Sequence, residues 1–295
     1  MKRQSLGIII AGAVICFCIG YFAYDIYLVL SVPGEEEFVQ ASSYVKAERK
    51  EGDCLVFNPA WATEGAPFFD GMRVFMQEHT DWYEAKKCSR VFLVASFGVG
   101  TKGVPEGFEA LEEKTFGGVQ VFLLSVPKHE KLVYDFRENI RDAKVVRVYG
   151  DRREECRLFR NDRWFCGSEH PWQFVGRHFR DIAGAVREVI WAHPLDKGNP
   201  IEITYDAVPA GKKLVVHYGW TLRAVEAKLG EPVDFVVRVD GEVVFTRRLL
   251  IEEKEWFEQV IPLEKRNKDT MSVVFTVSTR NYQNRQFCFT ADVWE

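Results

Sequence analysis

The stretch from Gly7 to Val32, GIIIAGAVICFCIGYFAYDIYLVLSV, limits this chain more than any other: about 25 residues with Asp25 as the only charge. About 20 consecutive apolar residues cross the hydrocarbon core of a bilayer as a helix, so the run predicts a single transmembrane anchor over residues 7–32. Lys2 and Arg3 precede it, and Glu35, Glu36 and Glu37 follow it. Basic residues concentrate on the cytoplasmic side of membrane helices, which sets the N-terminus in the cytoplasm and the later residues outside the plasma (inner) membrane of a bacterial envelope. The competing reading is a cleaved secretion signal. Such signals have a shorter apolar core and a small-x-small cleavage site, whereas Leu, Val, Ser and Pro follow Tyr27. The neighbourhoods of Cys16 and Cys18 also lack the small residue expected before a lipidated cysteine. Phe17, Tyr21, Phe22, Tyr24 and Tyr27 suit a helix whose outer half nears the interface, and Asp25, about one turn from that end, reaches water.

An oxidising exterior permits disulfides. Of seven cysteines, Cys54, Cys88, Cys156, Cys166 and Cys288 lie beyond the apolar run. In CRLFRNDRWFC, Cys156 and Cys166 stand symmetrically about Asn161, so a hairpin turning at Asn161-Asp162 sets them opposite each other. Cys54 and Cys88 each open an apolar, strand-like run, DCLVFNP and KCSRVFLVASF, and would be bridged if those strands are neighbours. Five cysteines permit several pairings. Cys288 is the expected odd one, because it faces away from Phe287 and Phe289 on its strand. Five reduced thiols packed as small hydrophobes are the alternative.

With 295 residues, 47% hydrophobic and 28% charged, the chain is long and apolar enough for one or two folded domains. Its 39 basic and 43 acidic side chains leave a net charge of -4, so no overall pull toward nucleic acid or anionic lipid follows. The order of segments is a short helix from about Glu35 to Arg49, strand DCLVFNP, a Gly/Pro-punctuated WATEGAPFFDG, helix-like MRVFMQEHTDWYEA, strand RVFLVASF, helix-like GFEALEEKTF and strand GVQVFLLSVP. This alternation predicts a small α/β module over residues 34–144 with a partly parallel sheet. From about Val145 onward short strands rich in Val, Phe and Thr follow one another, with Asp240-Gly241 a strong hairpin signal. Val273, Phe275 and Val277, like Phe287, Phe289, Ala291 and Val293, keep period two. Residues 145–295 therefore read as an antiparallel β-sandwich of jelly-roll type, and the fold class as α+β.

Several chemistries find little support. Gly98-Val99-Gly100-Thr101-Lys102-Gly103 matches GxGxxG after a strand. A dinucleotide site also needs a helix N-terminus next and a carboxylate about 20 positions on; Pro105 and Gly107 delay any helix, and the next strand ends in Leu124, Ser125 and Val126. The six histidines form no HxH or HExxH pair and the cysteines no CxxC. No GxSxG elbow exists, and carboxylates such as Glu64, Asp70 and Asp81 are too common to single out an acid/base pair. No catalytic residue, metal or cofactor is assigned. Aromatic and polar residues at strand ends say more: His217, Tyr218 and Trp220 close one strand, Trp256 opens another, and the loop TRNYQNR carries Arg280, Asn281, Tyr282, Asn284 and Arg285. Flat aromatic faces take the apolar face of a sugar, while Asn and Arg take its hydroxyls. Core packing and loop solvation are the bland alternative for the same residues.

Two resemblances bear on this. EGDCLVFNPAW, SRVFLVASF and FGGVQVFLLSVP, within residues of about 50–127, resemble the extracytoplasmic region of membrane glycosyltransferases of the mannosyltransferase and aminoarabinose-transferase type. Those enzymes keep their catalytic carboxylates in loops of a many-helix domain that has no counterpart here, so the resemblance implies no catalysis. PVDFVVRVDGEVVFTRRL, EWFEQVIPL, SVVFTVST and FTADVW are similar to galactose-binding-like jelly rolls, including carbohydrate-binding modules, which implies the fold more strongly than the ligand. The expectation is a single-pass, extracytoplasmic, non-catalytic protein that binds carbohydrate or a glycan-assembly partner such as a membrane glycosyltransferase. The candidate ligand-binding residues are Trp220, Tyr282, Arg280, Asn281, Arg285 and His217. A glycan-active enzyme with a carboxylate pair and a purely structural subunit of a membrane complex are the alternatives.

Overall fold

The computed structural model describes residues 16–22, 32–60, 62, 64–69, 73–75, 82–127, 131–166, 170, 172–263 and 269–295. Residues 16–22 are helical. Among the described residues no helix is long and apolar enough to cross a membrane, and most of the expected anchor at 7–32 lies outside them. The chain divides into two compact units after Pro127.

In the first unit, α1 (Glu35–Glu48) begins with three acidic residues at its positive end, and the Gly34 N–H donates to the Glu37 carboxylate at 3.2 Å. The sheet joins β1 (Cys54–Asn58), β2 (Arg73–Phe75), β3 (Arg90–Ala95), β4 (Glu109–Phe116) and β5 (Val119–Ser125) in the order β2-β1-β3-β5-β4. β1 runs parallel to both β2 and β3, while β5 is antiparallel to β3 and β4, so the expected partly parallel sheet is present. Its central strands are buried on both faces, as apolar runs without alternation require. Leu55, Phe57, Phe92 and Val94 meet Phe38, Ala41 and Val45 of α1, and Cys54, Val56, Val91 and Leu93 form the opposite cluster with Ala85. Cys54 and Cys88 are bonded, their Cα atoms 6.0 Å apart.

Two expected helices are corrected. MRVFMQEHTDWYEA contains β2, and only Trp82–Ala85 (α2) is helical among its described residues. GFEALEEKTF is β4, whose helix-favouring Glu and Lys lie on an exposed edge. Gly117-Gly118 turns it back onto β5, and pairing with an apolar strand overrides local propensity.

The second unit is a pair of packed sheets. Its strands are β6 (Leu132–Asp135), β7 (Lys144–Tyr149), β8 (Arg152–Glu155), β9 (Leu158–Arg160), β10 (Arg163–Phe165), β11 (Phe174–Ile182), β12 (Ala185–Ala192), β13 (Ile201–Pro209), β14 (Lys213–Trp220), β15 (Val233–Val239), β16 (Glu242–Leu249), β17 (Phe257–Pro262), β18 (Thr270–Thr279) and β19 (Phe287–Trp294), with α3 (Leu222–Ala227) after β14. One sheet runs β17-β14-β19-β12-β11-β10-β9 with β6 also on β19, the other β16-β15-β18-β13-β7-β8. The pairing of β6 with β19 puts the start of this unit at 128 rather than 145. Phe289 reaches across to Phe275 and Phe235, ring centroids 4.9 and 5.3 Å apart, so the period-two residues do meet in one core. Asp240-Gly241 forms the expected hairpin turn, with φ of 50° and 86°. Asn161-Asp162 turns β9 into β10, with φ of 50° and 56°, and Cys156 and Cys166 are bonded at the base of that hairpin. Cys288 is free and fully buried.

Candidate functional site

Pairing of Val175 with Ala192 puts the start of β11 and the end of β12 at one end of their sheet. Trp191 opposite Cys288 brings the start of β19 there too. Three chain segments therefore converge: His170, Trp172 and Gln173 before β11, His193 leaving β12 and the loop before β19. Their rings meet. His170 stacks on Trp172 with centroids 5.1 Å apart and planes 9° from parallel. Trp172 lies 4.6 Å from His193 and 5.9 Å from Tyr282, and Tyr282 is 5.7 Å from His193. The Trp191 indole N–H donates to the Trp172 carbonyl at 3.0 Å, tying the platform to β12. His170 is exposed and Trp172 and Tyr282 are half-buried, so this cluster offers ring surface to solvent. His193 lies beneath, 6% exposed; burial pushes its pKa down to about 4, partly opposed by the Pro194 carbonyl. At neutral pH the floor of the platform is uncharged.

The outer face of the same sheet continues from the platform. Phe174 and Trp191 pack together with Phe165, Trp256, Val189, Ile182 and Cys288. Arginines cover the rings: Arg163 over Phe174 and Arg180 over Trp191, each 4.5 Å from the ring centre, and Arg160 over Phe165 at 5.0 Å. His178 lies among them, its Nδ1 3.4 Å from Arg163 Nη2; burial, then Arg180 and Arg163, push its pKa down to about 4. Gly176, opposite Trp191, lets β10 approach: a Cβ there would collide with the Asp162 carbonyl oxygen. Beside Arg180 a cleft of about 330 Å³ is lined by Asp181, Thr221, Arg223, Glu226 and Gln286.

The expected ligand-binding residues divide by strand parity and loop geometry. Tyr282 belongs to the platform. Trp220 shares the inward face of β14 with Val216 and Tyr218; it is fully buried and donates its indole N–H to the Leu250 carbonyl at 2.9 Å. Arg285 is equally buried, its guanidinium 4.9 Å over the Trp220 ring and donating to the Ala224 carbonyl at 3.2 Å. Neither Trp220 nor Arg285 offers a surface to a ligand. His217 is buried on the outer face, stacked on Trp256 and 3.0 Å from the Glu258 carboxylate. Asn281 accepts the Gln283 N–H on its own side chain at 3.0 Å, which shapes the loop, and Arg280 is exposed. Sequence reading missed His170, Trp172 and His193; two aromatics and a proline in EHPWQF before a strand were the available signal.

The GxGxxG loop leads into β4, not a helix. Asn58 Nδ2 donates to the carbonyls of Gly100 at 2.7 Å and Lys102 at 3.0 Å, so the loop is folded onto β1 and presents no helix N-terminus to a pyrophosphate. Among the described residues no three His, Cys, Asp or Glu are grouped to hold a metal ion.

No protein-family model and no curated protein matches the chain. Among solved structures, the chain is similar to the CBM51-2 and INT domains from Clostridium perfringens ZmpB at 15% identity and TM-score 0.29, over 40% of this chain and 25% of that one. It is similar to a CBM51 from Clostridium perfringens GH95 in complex with methyl-galactose at 13% identity and TM-score 0.30, over 39% and 78%. The K3 cleaved adhesin domain of Lys-gingipain from Porphyromonas gingivalis w83 aligns at 14% identity and TM-score 0.31, over 56% and 97%. The chain thus spans a quarter of the length of the first of these.

Proposed function

We propose that the sandwich unit is a non-catalytic carbohydrate-binding module whose ligand lies on the ring platform of His170, Trp172 and Tyr282. The observation that carries this is the convergence of three part-exposed rings at one sheet end, above an uncharged His193. Ring faces of this kind cover the apolar C–H face of a sugar. Arg280 and Gln283, exposed on the same loop as Tyr282, supply hydrogen-bonding groups. A glycan array followed by calorimetry on the full chain tests the reading. Trp172→Ala is expected to weaken the best glycan about tenfold, about 1.4 kcal/mol, with the folded state retained in its circular-dichroism spectrum. Failure of the wild-type chain to bind any glycan on the array would overturn it.

The same proposal retains residues 7–32 as a membrane anchor and the two units as extracytoplasmic, where a membrane glycosyltransferase is a natural partner. The two disulfides support an oxidising compartment. A reporter fused after Glu295 that works only in the cytoplasm would refute this placement.

A further inference from the structure

The arginines on the outer face of the β11–β12 sheet depart from the rest of the chain. Six arginines elsewhere meet carboxylates: Arg90 with Asp53, Arg137 with Asp135, Arg153 with Glu202, Arg177 with Glu188, Arg247 with Glu253 and Arg248 with Asp234. On this face they meet each other. Arg160 is directly opposite Arg163 across β9 and β10, and Arg180 is directly opposite Arg187 across β11 and β12. Like charges at directly opposed positions destabilise a sheet. The Nε atoms of Arg163 and Arg180 are buried and have no hydrogen-bond partner among the described residues. Burial holds the Arg180 pKa below its ordinary value, and repulsion from Arg163 and Arg223 adds to it. Covering apolar rings with arginine stems explains where the side chains lie. It does not explain why the cationic ends of Arg160, Arg163 and Arg180 are grouped on one face.

We propose that Arg160, Arg163 and Arg180 bind the carboxylate or sulfate groups of an acidic polysaccharide whose chain continues onto the Trp172 platform. This rests on the carbohydrate reading above and adds the class of sugar. Planar guanidinium forks match the paired oxygens of a carboxylate or sulfate. The face and the platform are continuous: Phe174 is 5.9 Å from Trp191, and Trp191 is 5.8 Å from His193. From Phe174 to Arg180, β11 spans about 20 Å at about 3.4 Å per residue, so a ligand touching both ends is a chain, not a single ion. Asp181 and Glu226 lie in the cleft beyond Arg180 and set the acidic limit of the cationic row.

The test is calorimetric titration of the full chain with oligogalacturonate, a neutral oligogalactan of equal length and inorganic sulfate. Oligogalacturonate is expected to bind at least tenfold more tightly than the neutral chain at low salt, and to lose that advantage as salt screens the charges. Arg163→Gln with Arg180→Gln is expected to abolish the advantage while neutral binding stays unchanged, and Trp172→Ala to weaken both oligosaccharides. Equal wild-type affinity for the two, with no difference in salt dependence, would overturn the proposal whether or not the double variant folds. The carbohydrate reading would survive that result; silence against both oligosaccharides would overturn the acidic-polysaccharide proposal and leave that reading to the glycan array. Sulfate binding as tightly as oligogalacturonate would identify a small-ion site and overturn the polysaccharide.

Discussion

Replacing Cys156 and Cys166 together by alanine tests how the hairpin that carries Arg160 and Arg163 is held. The two cysteines are ten apart in sequence and buried in the sandwich core, 3% and 4% exposed. The chain-entropy cost released by opening so short a loop is about 2.8 kcal/mol at 25 °C, against about 3.8 kcal/mol for the 34-residue separation of Cys54 and Cys88. A domain of the sandwich's size loses about 2–4 °C per kcal/mol, so Cys156→Ala with Cys166→Ala lowers its midpoint by about 6–11 °C. The two bridges lie in different compact units. Calorimetry should therefore show each double variant moving one transition and sparing the other, with the Cys54/Cys88 pair losing about 1 kcal/mol more. Wild-type protein under reductant should reproduce both losses. An unmoved sandwich midpoint in the Cys156/Cys166 variant would mean that strand pairing alone holds the hairpin and that the entropic account is wrong.

Two further outcomes follow from buried side chains. His193 has a folded pKa of about 4 against about 6.5 for an ordinary histidine. Below pH 6.5 the unfolded chain takes up a proton that the folded one refuses, so stability falls as pH drops from 6.5 to 4 and is fully present above 6.5. The shift corresponds to about 3 kcal/mol; His178, also lowered to about 4, contributes in the same window, so His193→Gln should make that part of the urea-midpoint profile shallower, and a profile parallel to the wild type would refute it. Arg285→Ala removes a fully buried guanidinium from Trp220 and from the Ala224 carbonyl. It should cost about 2–4 kcal/mol in urea unfolding while leaving the glycan affinity of the folded protein unchanged, whereas Trp172→Ala lowers that affinity.

The contrast between Arg285 and Trp172 shows what a linear sequence conveys about a site on a sheet. Period two in Val273, Phe275 and Val277 marks one buried face, and the Asn161-Asp162 and Asp240-Gly241 turns mark hairpins, so the sandwich and one disulfide are legible. The same parity, carried one step further along β14, places Trp220 beside Tyr218 on the inward face; a strand-end tryptophan is a surface group only when its parity differs from that of the core residues before it. β4 was hidden because its exposed edge is filled with glutamate and lysine, which favour a helix until an apolar partner strand pairs with them. The platform was hidden for another reason. His170, Trp172, His193 and Tyr282 come from three segments that only the register of β11, β12 and β19 brings together. The arginine row was half visible, since Gly176, His178 and Arg180 share a face of β11 by spacing alone. Which face looks inward was set by Val175 packing in the core while Phe174 joins Trp191 outside it. Both faces of this sheet thus carry apolar residues. Guanidinium groups lie over the rings of the outer cluster, so an apolar surface that needs shielding from water also concentrates positive charge.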